Sequence, residues 1–198
     1  MKKFELTTDR IEENGTALYR IKALIDFGDV KAGDLGGYAE KEENLSQAGN
    51  AWVSGNARVF GDAWVSGNAQ VSGNAQVSGN ARVSGDAQVF GNAWVYGDAQ
   101  VSGNARVYGD AQVFGNVWVS GNARICSNAD YIYLKGFGSH NRNTTMFRTK
   151  NGNICVSCGC FYGTLEEFEN NVKETHGNNK FAREYLALVE AAKIHFEV

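Results

Sequence analysis

The sequence predicts a mainly β protein: a β-solenoid with an N-terminal β cap and a small C-terminal α+β module. Three observations predict it. A six-residue pattern, G-[N/D]-A-x-V-y, runs from Gly49 to Asn128 almost unbroken. The 198 residues include 24 glycines and no proline. The stretches on either side are patterned differently, strand-like before the repeats and hairpin-then-helix after them.

Residues 1–46 read as the cap. Phe4 to Leu6 and Ala17 to Ile25 have strand character around the turn Glu13-Asn14-Gly15. Gly33, Gly36 and Gly37 then lead into a polar approach, Lys41-Glu42-Glu43-Asn44. A solenoid needs such a cap because its open end exposes unpaired backbone and apolar side chains.

Residues 47–134 read as the solenoid. Valine holds one phase from Val53 to Val119 and Ile125 continues it; alanine sits two residues earlier in every unit except at Val117. Two residues apart on a strand means one shared face, so Ala and Val point inward together. The Gly-Asn or Gly-Asp that follows tolerates left-handed backbone angles, so the chain turns there. Thirteen turn glycines, Gly49 to Gly121, explain the glycine excess as architecture. Proline would remove an N–H that a strand paired on both sides requires. Tyr131 to Leu134 are expected to finish the last coil.

The Ala and Val pair in thirteen consecutive units resembles the hexapeptide-repeat family. The resemblance implies a left-handed parallel β-helix with three hexads per triangular coil, and common assembly as trimers. Residues eighteen apart would then stack at about 4.8 Å. Outward positions would fall on three walls. The first carries Trp52, Gln70, Gln88, Arg106 and Arg124, with Phe90 and Tyr108 beside them. The second carries Arg58, Gln76, Trp94 and Gln112, with Phe60, Tyr96 and Phe114. The third carries Trp64, Arg82, Gln100 and Trp118 beside the serine column Ser66, Ser84, Ser102 and Ser120. Phe60, Trp94, Tyr96 and Phe114, with Phe90 and Tyr108 round the corner, are the expected interface of a homo-oligomer, favoured as a trimer. The alternative is cover by a terminal segment of the same chain. The order DFGDVKAGDLGGY, ENLSQAGNAWVSGNA, SCGCFYGTLEEF and ETHGNN also resembles hexapeptide-repeat proteins encoded by phages and prophages.

Residues 135–198 read as the α+β module. A polar loop, Gly136 to Thr145, precedes a hairpin of Thr144–Thr149 and Asn153–Ser157 turned by Asn151-Gly152. Thr164-Leu165-Glu166-Glu167 has the form of a capping box, opening a helix that ends near His176-Gly177. A second helix is expected from about Asn179 to Ile194, with Phe181, Tyr185, Leu188 and Ala192 on one side.

Most chemistry is argued against. Acyl transfer, the activity the resemblance first implies, uses a histidine on a coil or extruded loop, and no histidine occurs from Gly49 to Asn128. The three-histidine zinc site of the γ-class carbonic anhydrase relatives is excluded for the same reason. Cys155, Cys158 and Cys160 with His176 invite a zinc reading, but Cys155 and Cys158 face opposite sides of a strand. His176 would also lie about 18 Å along its helix from the cysteines. Asp62, Asp86, Asp98 and Asp110 never stack on adjacent coils, so calcium is not expected. No cofactor, metal or catalytic set is therefore expected. Net charge of −3 and four repeat arginines argue against nucleic acid. No apolar run approaches a membrane span, and Glu5 and Asp9 stand where a signal peptide needs apolar residues, so a cytoplasmic protein is expected. One loop differs: Ser139, His140, Arg142 and Asn143, expected to adjoin Arg148, are dense in donors that suit a phosphate or another anion. An ordinary turn-rich loop is the alternative. The expected function is a non-enzymatic, oligomeric binding or scaffold protein, phage-encoded by the resemblance, that captures a host protein or a small nucleotide-like ligand and so blocks host defence. A hexapeptide-repeat acyltransferase and a virion structural protein are the alternatives.

Overall fold

Every alanine and valine of the repeats from Ala51 to Val119 is buried in the computed structural model, which describes residues 2–198. Thirteen two-residue strands, β4 (Trp52–Val53) to β16 (Arg124–Ile125), follow one another at six-residue steps. They pair in parallel with the strand eighteen residues on: Trp52 with Gln70, Arg58 with Gln76 and Trp64 with Arg82. Three parallel sheets result, one per wall, and the chain makes a β-solenoid of about five turns. The walls are those expected from the eighteen-residue spacing.

Each coil corner is a glycine at positive φ, 60° to 78° from Gly49 to Gly121. Outside each corner, Asn and Asp side chains bond from coil to coil: Asn50 donates to Asn68, and Asn68 to Asp86. A second ladder, Asn56 to Asn74 to Asn92, likewise ends on a carboxylate, Asp110. A carboxylate only accepts, so an Asp ends a run of donations that all point one way.

The ends of the solenoid follow from the polarity of its backbone. Where one partner lies outside the paired dipeptides, the N–H of one coil donates to a carbonyl of the next, as Trp64 does to Ala81 and Ser66 to Val83. The first coil therefore offers carbonyls to its cap and the last coil offers N–H groups, and buried backbone of either kind needs a partner. The N-terminal cap supplies the donors. β1 (Phe4–Glu13) and β2 (Thr16–Ala23) form a hairpin, and β3 (Leu35–Ala39) joins them to the second wall. Tyr38 N and Glu40 N donate to Ala57 and Val59; the buried Asn44 amide donates to Gly61 and Ala63. Lys3, only 2% exposed, donates from Nζ to Ala51 O at 2.9 Å. β3 takes up Gly36 and Gly37, where no strand was expected, and the polar approach Lys41-Glu42-Glu43-Asn44 follows it as a 3₁₀ turn over Glu42–Asn44. Gly36 and Gly37 permit this strand, since a Cβ on Gly37 would come within 2.5 Å of Ala57 O.

Burial lowers the Lys3 pKa to about 8. The unfolded chain then holds more protons than the folded one between about pH 8 and the ordinary lysine value, so this group makes stability rise with pH there. Below pH 8 the buried charge is a constant cost. In chemical denaturation at pH 7.5, 8.5 and 9.5, the wild type should gain stability relative to Lys3→Met as pH rises; a constant difference would contradict the burial argument.

At the far end the partners are acceptors. Gln112 N donates to Asn128 Oδ1, Trp118 N to Thr145 Oγ1, and Cys126 N and Ser127 N to the Asp130 carboxylate. The C-terminal sheet lies across this end: β17 (Tyr131–Phe137), β18 (Arg142–Arg148), β19 (Ile154–Cys158) and β20 (Phe161–Thr164), all antiparallel. Tyr131 to Leu134 therefore do not finish the last coil. They pair with Thr144 to Phe147, because the 3₁₀ turn Asn128–Asp130 redirects the chain before a further coil can form. Period-two alternation in β18 divides two cores: Phe147 is buried with the solenoid valines, and Met146 with the helices. β20 was not expected; it returns the chain along β19 before the first helix.

That helix, α1 (Leu165–His176), starts with the Thr164/Glu167 capping box and ends at Gly177. The second, α2 (Lys180–Phe196), is capped by Asn179 and buries Ala182, Tyr185, Val189, Ala192 and Phe196. Its buried stripe includes Tyr185 and Ala192 as expected, with Val189 fully buried where Leu188 was expected. No helix among the described residues is long and apolar enough to cross a membrane.

Candidate functional site

The loop between β17 and β18 is shorter than the sequence suggests, since β18 begins at Arg142. Gly138 (φ 72°) and Asn141 (φ 48°) turn it in left-handed conformations. The Gly138 amide donates to the Glu184 carboxylate at 3.0 Å, tying the loop to α2. Ser139 and His140 remain exposed, with Ser139 Oγ 2.9 Å from His140 Nδ1. Arg142 is half-buried, and its guanidinium lies over Gly159 (φ 61°); a Cβ on Gly159 would overlap it. Arg20, Arg58 and Arg148 are each paired with a carboxylate. Among the described residues, Arg142 has no carboxylate within 4.0 Å.

Ser139, His140 and Arg142 line a cleft of about 240 Å³ together with Cys158, Cys160 and His176; Phe161, Phe168 and Tyr185 form its apolar part. His176 stacks on Tyr185 at 5.9 Å, and Phe168 meets Tyr185 edge-on at 5.5 Å. Tyr185 is pushed up to about 12, by burial first and by its Cys158 contact second, so its hydroxyl stays protonated and donates to Phe137 O. Thr144 Oγ1 donates to Cys158 Sγ at 3.2 Å.

Two expected members of the anion set stand apart. Asn143, next along β18, lines a second cleft with Trp118. Arg148 does not adjoin the loop: it lies at the opposite end of β18, where it faces Asp130 at 3.6 Å and donates to Phe196 O at 2.8 Å. A seven-residue strand separates the two arginines, which sequence proximity concealed. The distance expected between His176 and the cysteines is also corrected. β20 runs back along β19, pairing Thr164 with Cys155, so α1 starts at the Cys155 end and its last turn returns beside Cys158 and Cys160. Even so, no group of three His, Cys, Asp or Glu among the described residues is arranged to hold a metal ion. Cys155 and Cys158 do face opposite sides, Cys155 against the solenoid core and Cys158 in the helical one.

The aromatic wall is a separate feature. Trp94 is 44% exposed and Phe114 45%, so neither terminal segment among the described residues covers them. Tyr96 stacks on Phe114 at 5.2 Å with Trp94 edge-on at 6.4 Å, and Phe90 stacks on Tyr108 at 5.1 Å round the corner. Phe60, half-buried, lies in the same column towards the N-terminal cap, where Arg58 pairs with Glu13 of the hairpin.

The repeats are similar to the YdcK beta solenoid repeat. The family model of that description matches residues 51–67, 75–89, 87–101 and 99–115. The match lies within the solenoid, apart from both the 240 Å³ cleft and the C-terminal helices. No curated protein matches the chain.

The second cleft, about 400 Å³ between the third wall and the C-terminal sheet, was missed by sequence reasoning. Trp118 was its one signal, a 48%-exposed indole interrupting a polar wall.

Proposed function

We propose that this chain is a non-enzymatic, oligomeric binding protein. The solenoid is the rigid core on which copies assemble, and the C-terminal module holds an anionic small molecule at Arg142. The observation that supports binding most directly is the half-buried guanidinium without a carboxylate partner, flanked by His140 and His176 in one cleft. A guanidinium fork suits phosphate or carboxylate oxygens, and the exposed Ser139 hydroxyl adds a donor. Assembly is supported by the exposed Trp94 and Phe114 on the second wall, neither of which lines that cleft. A trimer is the favoured state. The phage-encoded origin implied by the resemblance would make the captured molecule a host's, with blocked defence as the outcome.

Native mass spectrometry of freshly purified protein tests assembly. The expected result is a homo-oligomer that falls to monomer in Trp94→Glu/Phe114→Glu with unchanged far-ultraviolet circular dichroism. Aromatic hot spots contribute about 2 kcal/mol or more each, enough to weaken association well over a hundredfold together. A monomeric wild type would overturn this part of the proposal.

A further inference from the structure

Arg142 belongs to both clefts. It lines the 240 Å³ cleft beside His140 and the 400 Å³ cleft beside Trp118. A third cavity, about 270 Å³, is lined by Trp118, Gly159 and Phe161 and so touches residues of both. The guanidinium can lie between them because Gly159 has no side chain.

The two sides differ in chemistry. On the His140 side are cationic or donor groups over aromatic rings. On the other side a 48%-exposed indole stands among carboxamides, Gln100, Asn116 and Asn143, with the Asp98 carboxylate beside them as a further acceptor. An exposed indole offers a flat face for stacking, and each carboxamide offers a donor and an acceptor to the edge of a heterocycle. Size decides between a bare anion and something larger. The smaller cleft lies below the range usual for a ligand pocket, about 300–1,000 Å³, and the Trp118 cleft lies within it. A lone phosphate at Arg142 would leave the larger cleft unused.

We infer that these clefts form one site joined at Arg142, and that it takes a phosphorylated nucleoside. The phosphate sits at the guanidinium and the base stacks on Trp118, its edge read by Asn116, Asn143 and Gln100. This rests on the anion reading of Arg142 and adds the base platform to it.

Titration calorimetry with adenosine 5′-monophosphate, ribose 5-phosphate and inorganic phosphate separates the two layers. All three should bind the wild type, the nucleotide about tenfold more tightly than ribose 5-phosphate. Trp118→Ala should bring the nucleotide down to the level of ribose 5-phosphate without weakening the latter, and Trp118→Phe should restore most of the gain. Arg142→Gln should abolish binding of all three. Gly159→Ala should weaken all three although the charge remains, because the guanidinium is displaced. Equal affinity for nucleotide and ribose 5-phosphate would overturn the base platform and leave the anion reading standing. Tighter binding of ribose 5-phosphate would assign the larger cleft to a sugar and overturn it too. No binding of any probe to the wild type would remove the anion reading and this inference with it.

Discussion

Phe147→Ala should lower the folding free energy by about 3–5 kcal/mol, the usual cost of removing a fully buried aromatic ring. Phe147 is 0% exposed and belongs to the solenoid core although it sits on a strand of the C-terminal sheet. With Tyr131 it closes the open end of the last coil, where Val119 and Ile125 would otherwise meet water. Removing it leaves a cavity at the junction of two cores. For a chain of this size the midpoint of thermal unfolding should fall by on the order of 10 °C. Hydrogen exchange locates the damage. Amides of the last coil, around Ile125, should lose protection, whereas Met146→Ala should loosen the helices first. Loss of protection in α1 and α2 with an intact last coil in Phe147→Ala would show that the ring does not close the solenoid.

The repeats were legible because one rule is written thirteen times: inward Ala and Val, an outward pair and a turn glycine leave the coil little freedom. Wall membership followed from counting eighteen residues, and each observed pair, from Trp52–Gln70 to Arg106–Arg124, keeps that register. The caps were less legible, since each solves a local problem once. Nothing periodic marks Lys3 as the donor to Ala51 O, or Asn44 as the donor to Gly61 and Ala63. Their roles come from the polarity of the coil end, which appears only when the coil is built. The candidate site was half legible. Ser139, His140 and Arg142 are neighbours in sequence and in space. His176 joins them only because β20 reverses the chain, and Trp118 meets Arg142 only because the C-terminal sheet lies across the end of the third wall. Arg148 misled for the opposite reason: a strand carries a near neighbour in sequence to the far edge of its sheet. Contacts set by a single irregular connection leave no repeated pattern to count.

Gly85→Ala should destabilise the protein by about 2–4 kcal/mol, and comparison with Gly33→Ala shows why. Both glycines adopt positive φ, 67° at Gly85 and 96° at Gly33, so alanine is strained at either position. That backbone strain alone is worth about 1–2 kcal/mol. The surroundings differ. At Gly33 an added Cβ meets nothing within 4 Å. At Gly85 it would lie 3.0 Å from Gly103 N and 3.2 Å from Gly103 O, backbone of the next coil. Those atoms cannot rotate aside, because Gly103 O already accepts from Asp86 N. Relief requires the coils to separate at that corner, which stretches the bonds beside it and opens packing around Val89 and Val101; overpacking of this kind adds about 1–3 kcal/mol. Denaturant titration of the two variants should therefore show the larger loss for Gly85→Ala. Equal losses would mean that the corner glycines serve only the turn angle. An excess at Gly85 means that they also set the spacing, and that the column of glycines is what lets one coil rest on the next.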